Sequence, residues 1–288
     1  MIPSPLPSAE DLDTTALAEV AAGLEAGDVK GCCATVYEQP AVRWLLGGEL
    51  HPGGKDLTRR MLALAGVRSA DRVLDIASGA GTTALMVAGE IGSEVVGLDY
   101  GAGAVVGATA EAEAAGLAER VSFVVGDAEA LPFEDGSFDV VLCECALCTF
   151  PDKTTAVAEM RRVLAPGGRL ALSDVIADHS RLSEDLRGTM ATVACVGAAL
   201  PESGYRDLLE SGGFEVTAVE HASQDVARLT ERVRTRLRGA KVLGFEGLVP
   251  IEGGLRQAVQ LAGEAKAAVA AGALGYAVLV AEASPEVI

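Results

Sequence analysis

Positive charge is scarce in this chain. Its 288 residues carry 23 Lys plus Arg against 41 Asp plus Glu, a formal net charge of −18. Such a field repels polyanions and excludes a general nucleic-acid or anionic-membrane partner. Long apolar runs are missing as well. The longest uncharged stretch, residues 267–281, is Ala/Gly-rich and falls short of the roughly 18 apolar residues of a spanning helix. The first residues, MIPSPL, hold neither Lys nor Arg and lead into no cleavage-site pattern, so they do not read as a secretory signal. Without export, the six cysteines read as reduced thiols rather than a disulfide framework. Aromatics are few, at 4%, but half of the residues are hydrophobic, which excludes disorder and supports a full core. The expectation is a cytoplasmic protein whose partner is a small molecule.

Strand and helix patterns alternate from about residue 66 onward, as βαβ units do. Strands are expected at residues 72–76, 94–99, 121–125, 138–145, 169–175, 214–220 and 274–281, with helices at 82–91, 102–115 and 154–164. This is an α/β fold with one seven-stranded, mostly parallel sheet. Residues 1–50 read as an N-terminal helical cap and 51–288 as the main domain. A helical insertion at about 223–271 precedes the last strand. Within it Arg228, Arg232, Arg234, Arg236, Arg238 and Lys241 outnumber the acids, which reads as a solvated face balancing an acidic body. A helix over 56–65 is expected to be capped by Asp56 after the turn His51-Pro52-Gly53-Gly54, with His51 a candidate gate. His179 and His221 read as exposed, and Tyr37 and Trp44 as anchors of the cap.

The first strand runs through Asp75-Ile76-Ala77-Ser78-Gly79-Ala80-Gly81 into a helix. Glycines there let the backbone approach a ligand closely. The dinucleotide pattern is incomplete, because Ala77 replaces its first glycine and the third is absent. Asp99 ends the second strand about 20 residues later, where a carboxylate accepts bonds from ribose hydroxyls. Gly126-Asp127-Ala128 follows the third strand at the same edge, where Asp127 can meet an adenine amino group.

Together with Leu131-Pro132-Phe133, Ser137-Phe138-Asp139 and Leu164-Ala165-Pro166-Gly167-Gly168, these segments resemble the class I S-adenosylmethionine-dependent methyltransferases over about residues 50–222. The resemblance implies S-adenosylmethionine as cofactor, with Gly79 and Gly81 at its methionine part, Asp99 at the ribose, and Asp127 with Ala128 at the adenine. It extends the cofactor-binding set to Asp75, Tyr100 and Glu144.

The fourth strand delivers Cys143-Glu144-Cys145-Ala146-Leu147-Cys148 to that same edge. Cys143 and Cys145 share a strand face, with Cys143 deeper and read as core. Cys145, six residues before Pro151-Asp152-Lys153, and Cys195, before a small-residue run, occupy the two cysteine positions of the arsenite methyltransferases, which this chain resembles here. That resemblance implies catalytic thiols at Cys145 and Cys195, with Cys33 or its neighbour Cys32 as a third ligand of a substrate metalloid. Soft trivalent arsenic prefers thiolates, and its lone pair can attack a methyl without a general base. The adjacent Cys32-Cys33 pair and the extra thiols Cys143 and Cys148 depart from the family pattern. Cys145-x-x-Cys148 is half a zinc spacing and lacks its second half.

Two other readings stand beside this one. The first is O-, N- or C-methylation of a small organic metabolite, with Glu144 or His51 as base, since quinone-biosynthesis methyltransferases share the wording around residues 127–141. The second is a non-catalytic thiol-based metalloid-binding protein. The oligomeric state is not legible.

Overall fold

The computed structural model describes residues 29–48, 50–188, 195–242 and 254–284. Helices α1 (Val29–Glu38), α2 (Pro40–Leu46) and α3 (Gly54–Leu64) come first. Then follow β1 (Arg72–Ile76), α4 (Thr82–Met86), β2 (Glu94–Asp99), α5 (Ala102–Ala114), β3 (Val121–Val125), β4 (Phe138–Glu144), α6 (Lys153–Val163) and β5 (Leu164–Ala177). The chain continues through α7 (Glu202–Ser211), β6 (Phe214–His221), α8 (Ser223–Val242), α9 (Gly254–Ala270) and β7 (Leu274–Ala283). The seven strands lie in one sheet in the order β3-β2-β1-β4-β5-β7-β6. Only β7 runs antiparallel to its neighbours. This is the mostly parallel, Rossmann-like architecture expected from the alternation.

Apolar runs make the central strands. β1 is buried on both faces from Val73 to Ile76, as a strand covered by helices on either side must be. One apolar layer gathers Leu57 and Met61 of α3 with Val73, Val140 and Tyr276. The opposite layer gathers Val157 and Met160 of α6 and Leu209 of α7 with Leu74, Val141 and Leu172. The strand order reverses between β1 and β4, and their register pairs Asp75 with Leu142 and Ile76 with Cys143. A ligand crevice belongs at such a switch point, outside the carboxyl ends of the strands.

Several boundaries differ from the expectation. Helix α3 begins at Gly54 behind Gly53, whose φ of 80° turns the chain, and Asp56 lies inside the first turn rather than capping it. Strand β4 stops at Glu144 because Cys145 takes a φ of 53° and leaves the extended region. β5 is longer than its apolar run, since it recruits Leu164 to Gly168 as well. α8 and α9 form the insertion, and its basic residues are used locally. Arg228 pairs with Asp225, Arg234 and Lys266 with Glu231, and Arg236 lies 5.1 Å over the Trp44 ring. Trp44 packs beside Ala41, Leu237 and Ala240, so it anchors α2 to α8. His221 is exposed, whereas His179 is half-buried with Nε2 2.7 Å from the Ala199 carbonyl, which corrects its reading as a surface group.

Candidate functional site

The turn after β1 is built from left-handed residues: Ala77, Gly79 and Gly81 have φ of 58°, 52° and 73°. Gly81 has no room for a side chain, because a Cβ would sit 2.5 Å from Cζ of Phe123 on β3. Gly81→Ala is therefore expected to cost about 2 kcal/mol or more, from strain plus overpacking, and to lower the melting temperature in a thermal scan.

Asp99 fastens this turn. One carboxylate oxygen accepts the Gly79 amide at 2.7 Å and the other accepts the Gly101 amide at 2.8 Å. Burial pushes its carboxyl up, and the backbone amides oppose that push. Each oxygen keeps a further lone pair for a ligand hydroxyl.

Around the turn lies a cavity of about 280 Å³ lined by Asp75, Gly79, Asp99, Tyr100, Asp127, Ala128, Glu144 and Cys145. The structure thus brings together every expected cofactor residue except Gly81, which shapes the turn from behind. Asp75 is fully buried, and one of its carboxylate oxygens has no hydrogen-bond partner. Burial, followed by the charges of Glu144 and Asp99, pushes its carboxyl well above the usual range. Glu144 accepts the Thr83 hydroxyl at 2.7 Å and the Thr58 hydroxyl at 3.0 Å, and His51 Nε2 stands 3.7 Å away. Four carboxyl groups on one cavity wall make a cradle for a cationic ligand.

Asp127 has a partner that sequence spacing does not reveal. Lys30 of α1 reaches across 97 positions to its carboxylate at 2.8 Å and to Glu129 at 2.7 Å. Burial alone would raise the Asp127 carboxyl, but Lys30 and the Glu129 amide hold it below the usual range. Thr58 and Thr83 likewise carry no local signature and emerge only from the packing of α3 and α4 beside β4.

The thiols converge behind Cys145. The Cys195 sulfur stands 3.6 Å from the Cys145 carbonyl and 3.2 Å from the Tyr37 hydroxyl. Cys145 faces the cavity, whereas Cys148 and Cys195 are buried behind it. The neighbouring thiols of Cys145 and Cys148, opposed by burial, draw the Cys195 thiol well below the usual thiol range. Cys145, chiefly through its bond to Cys195, and Cys148, chiefly through burial, are pushed well above it. The non-glycine residues with positive φ among the described residues are Ala77, Cys145 and Cys195. Such strain of roughly 1–3 kcal/mol each persists where the surrounding fold enforces it, commonly at functional sites. Cys143 is packed in the core, as expected. Cys32 and Cys33 ride on α1, but their side chains lie outside the described residues.

Asp174 lies beneath the thiols, accepting the amides of Cys148 and Val175 at 2.7 and 2.8 Å. Burial, then the charge of Cys195, raises its carboxyl to about 7. The folded state therefore holds a proton that the unfolded chain has released between about pH 4 and pH 7. Stability from this group is full below the ordinary carboxylate range and is lost as pH rises through 7, by up to about 4 kcal/mol. Melting temperatures of the wild type are expected to fall more steeply over that window than those of Asp174→Asn.

An open α/β sheet with a glycine turn, a strand-end carboxylate and a carboxylate-lined cavity at its switch point defines a Rossmann-like ligand-binding fold. Residues 68–230 match the family described as "Methyltransferase domain". The chain belongs to this family, among the class I S-adenosylmethionine-dependent enzymes. It is 41% identical over 140 residues to demethylmenaquinone methyltransferase of Thermus thermophilus, covering 48% of this chain and 63% of that protein. It is 33% identical over 165 residues to arsenite methyltransferase of Halobacterium salinarum, covering 57% and 41%. In both relatives the match spans less than two thirds of the protein's own length. A phosphoethanolamine N-methyltransferase of Haemonchus contortus, solved with S-adenosyl-L-methionine, shares the fold at a TM-score of 0.72 and 20% identity, covering 93% of this chain and 60% of that one.

Proposed function

We propose that the protein transfers a methyl group from S-adenosylmethionine to trivalent arsenic, or a related thiophilic metalloid, held by Cys145 and Cys195. The observation that carries this reading is Cys145 on the cavity wall with the Cys195 sulfur 3.6 Å from its carbonyl.

The cavity residues fit S-adenosylmethionine. The unpartnered oxygen of Asp75 and the Glu144 carboxylate suit a ligand bearing a sulfonium and an ammonium group. Gly79 gives close backbone approach, Asp99 and Tyr100 serve the ribose side, and Asp127 with Ala128 the adenine side. When bound, the cofactor supplies an electrophilic methyl group on a cationic sulfur.

The chain's own part is to load and orient the acceptor. Two thiols replace two hydroxyl groups of arsenous acid; two arsenic–sulfur bonds form, two arsenic–oxygen bonds break, and the thiol protons leave in two waters. The arsenic lone pair remains free, so no side chain need remove a proton in the methyl-transfer step. Cys32 or Cys33 remains the proposed third ligand, with Cys148 another thiol near Cys195. Holding it in line with the methyl donor is worth several kcal/mol of barrier. The free thiols suit a reducing, cytoplasmic setting, and no described helix is long and apolar enough to cross a membrane.

A small organic acceptor is the second reading. The Glu144–His51 pair on the cavity wall favours it, since such a pair can accept a proton, and so does the likeness to a quinone-modifying relative. The test is to incubate purified protein with methyl-labelled S-adenosylmethionine, arsenite and a thiol. Labelled methylarsenicals are expected; label passing only to an added organic acceptor would overturn the arsenic reading.

A further inference from the structure

Tyr37 sits near the end of α1, a helix tied down at both ends. Lys30 grips Asp127 and Glu129 on one side of the cavity. Glu38 accepts the Ala104 amide at 2.9 Å on the other. Between these ties the Tyr37 ring lines the cavity, and its hydroxyl meets the Cys195 sulfur at 3.2 Å. A Cys195 thiol also has the Cys145 carbonyl 3.6 Å away as an acceptor for its proton, and a thiolate has no proton to give. The sulfur is thus able to accept from the tyrosine hydroxyl in either state.

We infer that Tyr37 is a positioning residue of the acceptor site, its hydroxyl holding the Cys195 sulfur beside Cys145 beneath the α1 segment. The inference rests on the metalloid reading for its substrate and on geometry alone for the contact. A ring needed only for packing requires no hydroxyl, and a phenol carried into a sulfur-lined pocket must find a partner there. A sulfur bound to arsenic keeps lone pairs, so the bond survives loading and continues to orient the sulfur. Cys195 also holds a backbone φ of 63°, and the tyrosine contact restrains its side chain in addition. The cofactor side of the cavity is left to other residues, which separates the two functions.

The test is Tyr37→Phe, which keeps the ring and removes the donor. A hydrogen bond to a charged or polarised sulfur corresponds to a roughly five- to fiftyfold effect. The arsenite KM is expected to rise by about that factor, with kcat and S-adenosylmethionine affinity within about twofold of wild type. Iodoacetamide labelling of Cys195, followed by peptide mass spectrometry, is expected to slow severalfold because the sulfur loses a donor that stabilises its thiolate, while labelling of Cys143 stays unchanged. An unchanged Cys195 labelling rate, or an unmoved arsenite KM in an active enzyme, overturns the inference. Should the wild type make no methylarsenical, the metalloid reading falls, and the labelling comparison alone still decides whether Tyr37 holds Cys195.

Discussion

Replacement of either Cys145 or Cys195 by Ser is expected to reduce arsenite methylation by about a hundredfold or more, with S-adenosylmethionine affinity within about twofold of wild type. A serine oxygen is a hard donor and a poor substitute for sulfur on a soft acceptor. The two positions should also be similar in effect, because both thiols are proposed to hold the same acceptor, Cys145 from the cavity wall and Cys195 from beside its carbonyl. The double variant is then expected to be little worse than either single one, as befits groups that act as a unit. Initial rates at saturating cofactor, with cofactor affinity measured by calorimetry, check this result. Full activity in both single variants would leave the thiols a structural cluster.

Asp99→Ala is expected to weaken cofactor binding by about a hundredfold. The carboxylate receives two backbone amides, from Gly79 and Gly101, and its loss leaves both donors without their acceptor at the edge of the cavity. A bond to a charged acceptor contributes about 1.5–3 kcal/mol, so the loss of one such bond to the ligand, compounded by a loosened turn, reaches that factor. Asp99→Asn should be nearly as damaging, since its amide nitrogen would face one of the two backbone N–H groups. Calorimetric titration with S-adenosylhomocysteine measures the effect without turnover. An affinity unchanged in Asp99→Ala would remove Asp99 from the ribose role.

Much of this molecule is legible in its sequence because parallel strands buried on both faces write themselves as apolar runs, as Val73 to Ile76 and Val140 to Cys143 do. The glycine turn is equally plain, since Gly79 and Gly81 sit where the backbone needs positive φ. Asp99, Asp127, Glu144 and Cys145 follow from their place at strand ends, where an open sheet presents its ligand. The convergence of Cys145 with Cys195, fifty positions apart, rests in the sequence only on family resemblance; the structure puts the Cys195 sulfur 3.6 Å from the Cys145 carbonyl. Residues supplied by helices across the cavity left no such trace. Lys30, Thr58 and Tyr37 reach the site only because α1 and α3 fold over the strand ends, and helical periodicity says which face is apolar but not what it will meet. Cys148 reads in the sequence as an extra thiol, and its amide bond to Asp174 depends on the short turn Leu147–Thr149 after β4, which no spacing rule encodes. Asp56 was misplaced for a related reason: its side chain has the right chemistry for a cap, but the left-handed backbone of Gly53 starts the helix sooner.

X-ray absorption at the arsenic edge, on protein loaded with arsenite and freed of other thiols, addresses the acceptor site itself. Sulfur is expected in the first coordination shell of the wild type, with oxygen taking its place in part when Cys145 or Cys195 is changed to Ser. An oxygen-only shell in the wild type, or one identical in all three proteins, would contradict the assignment of these two thiols as the acceptor's ligands.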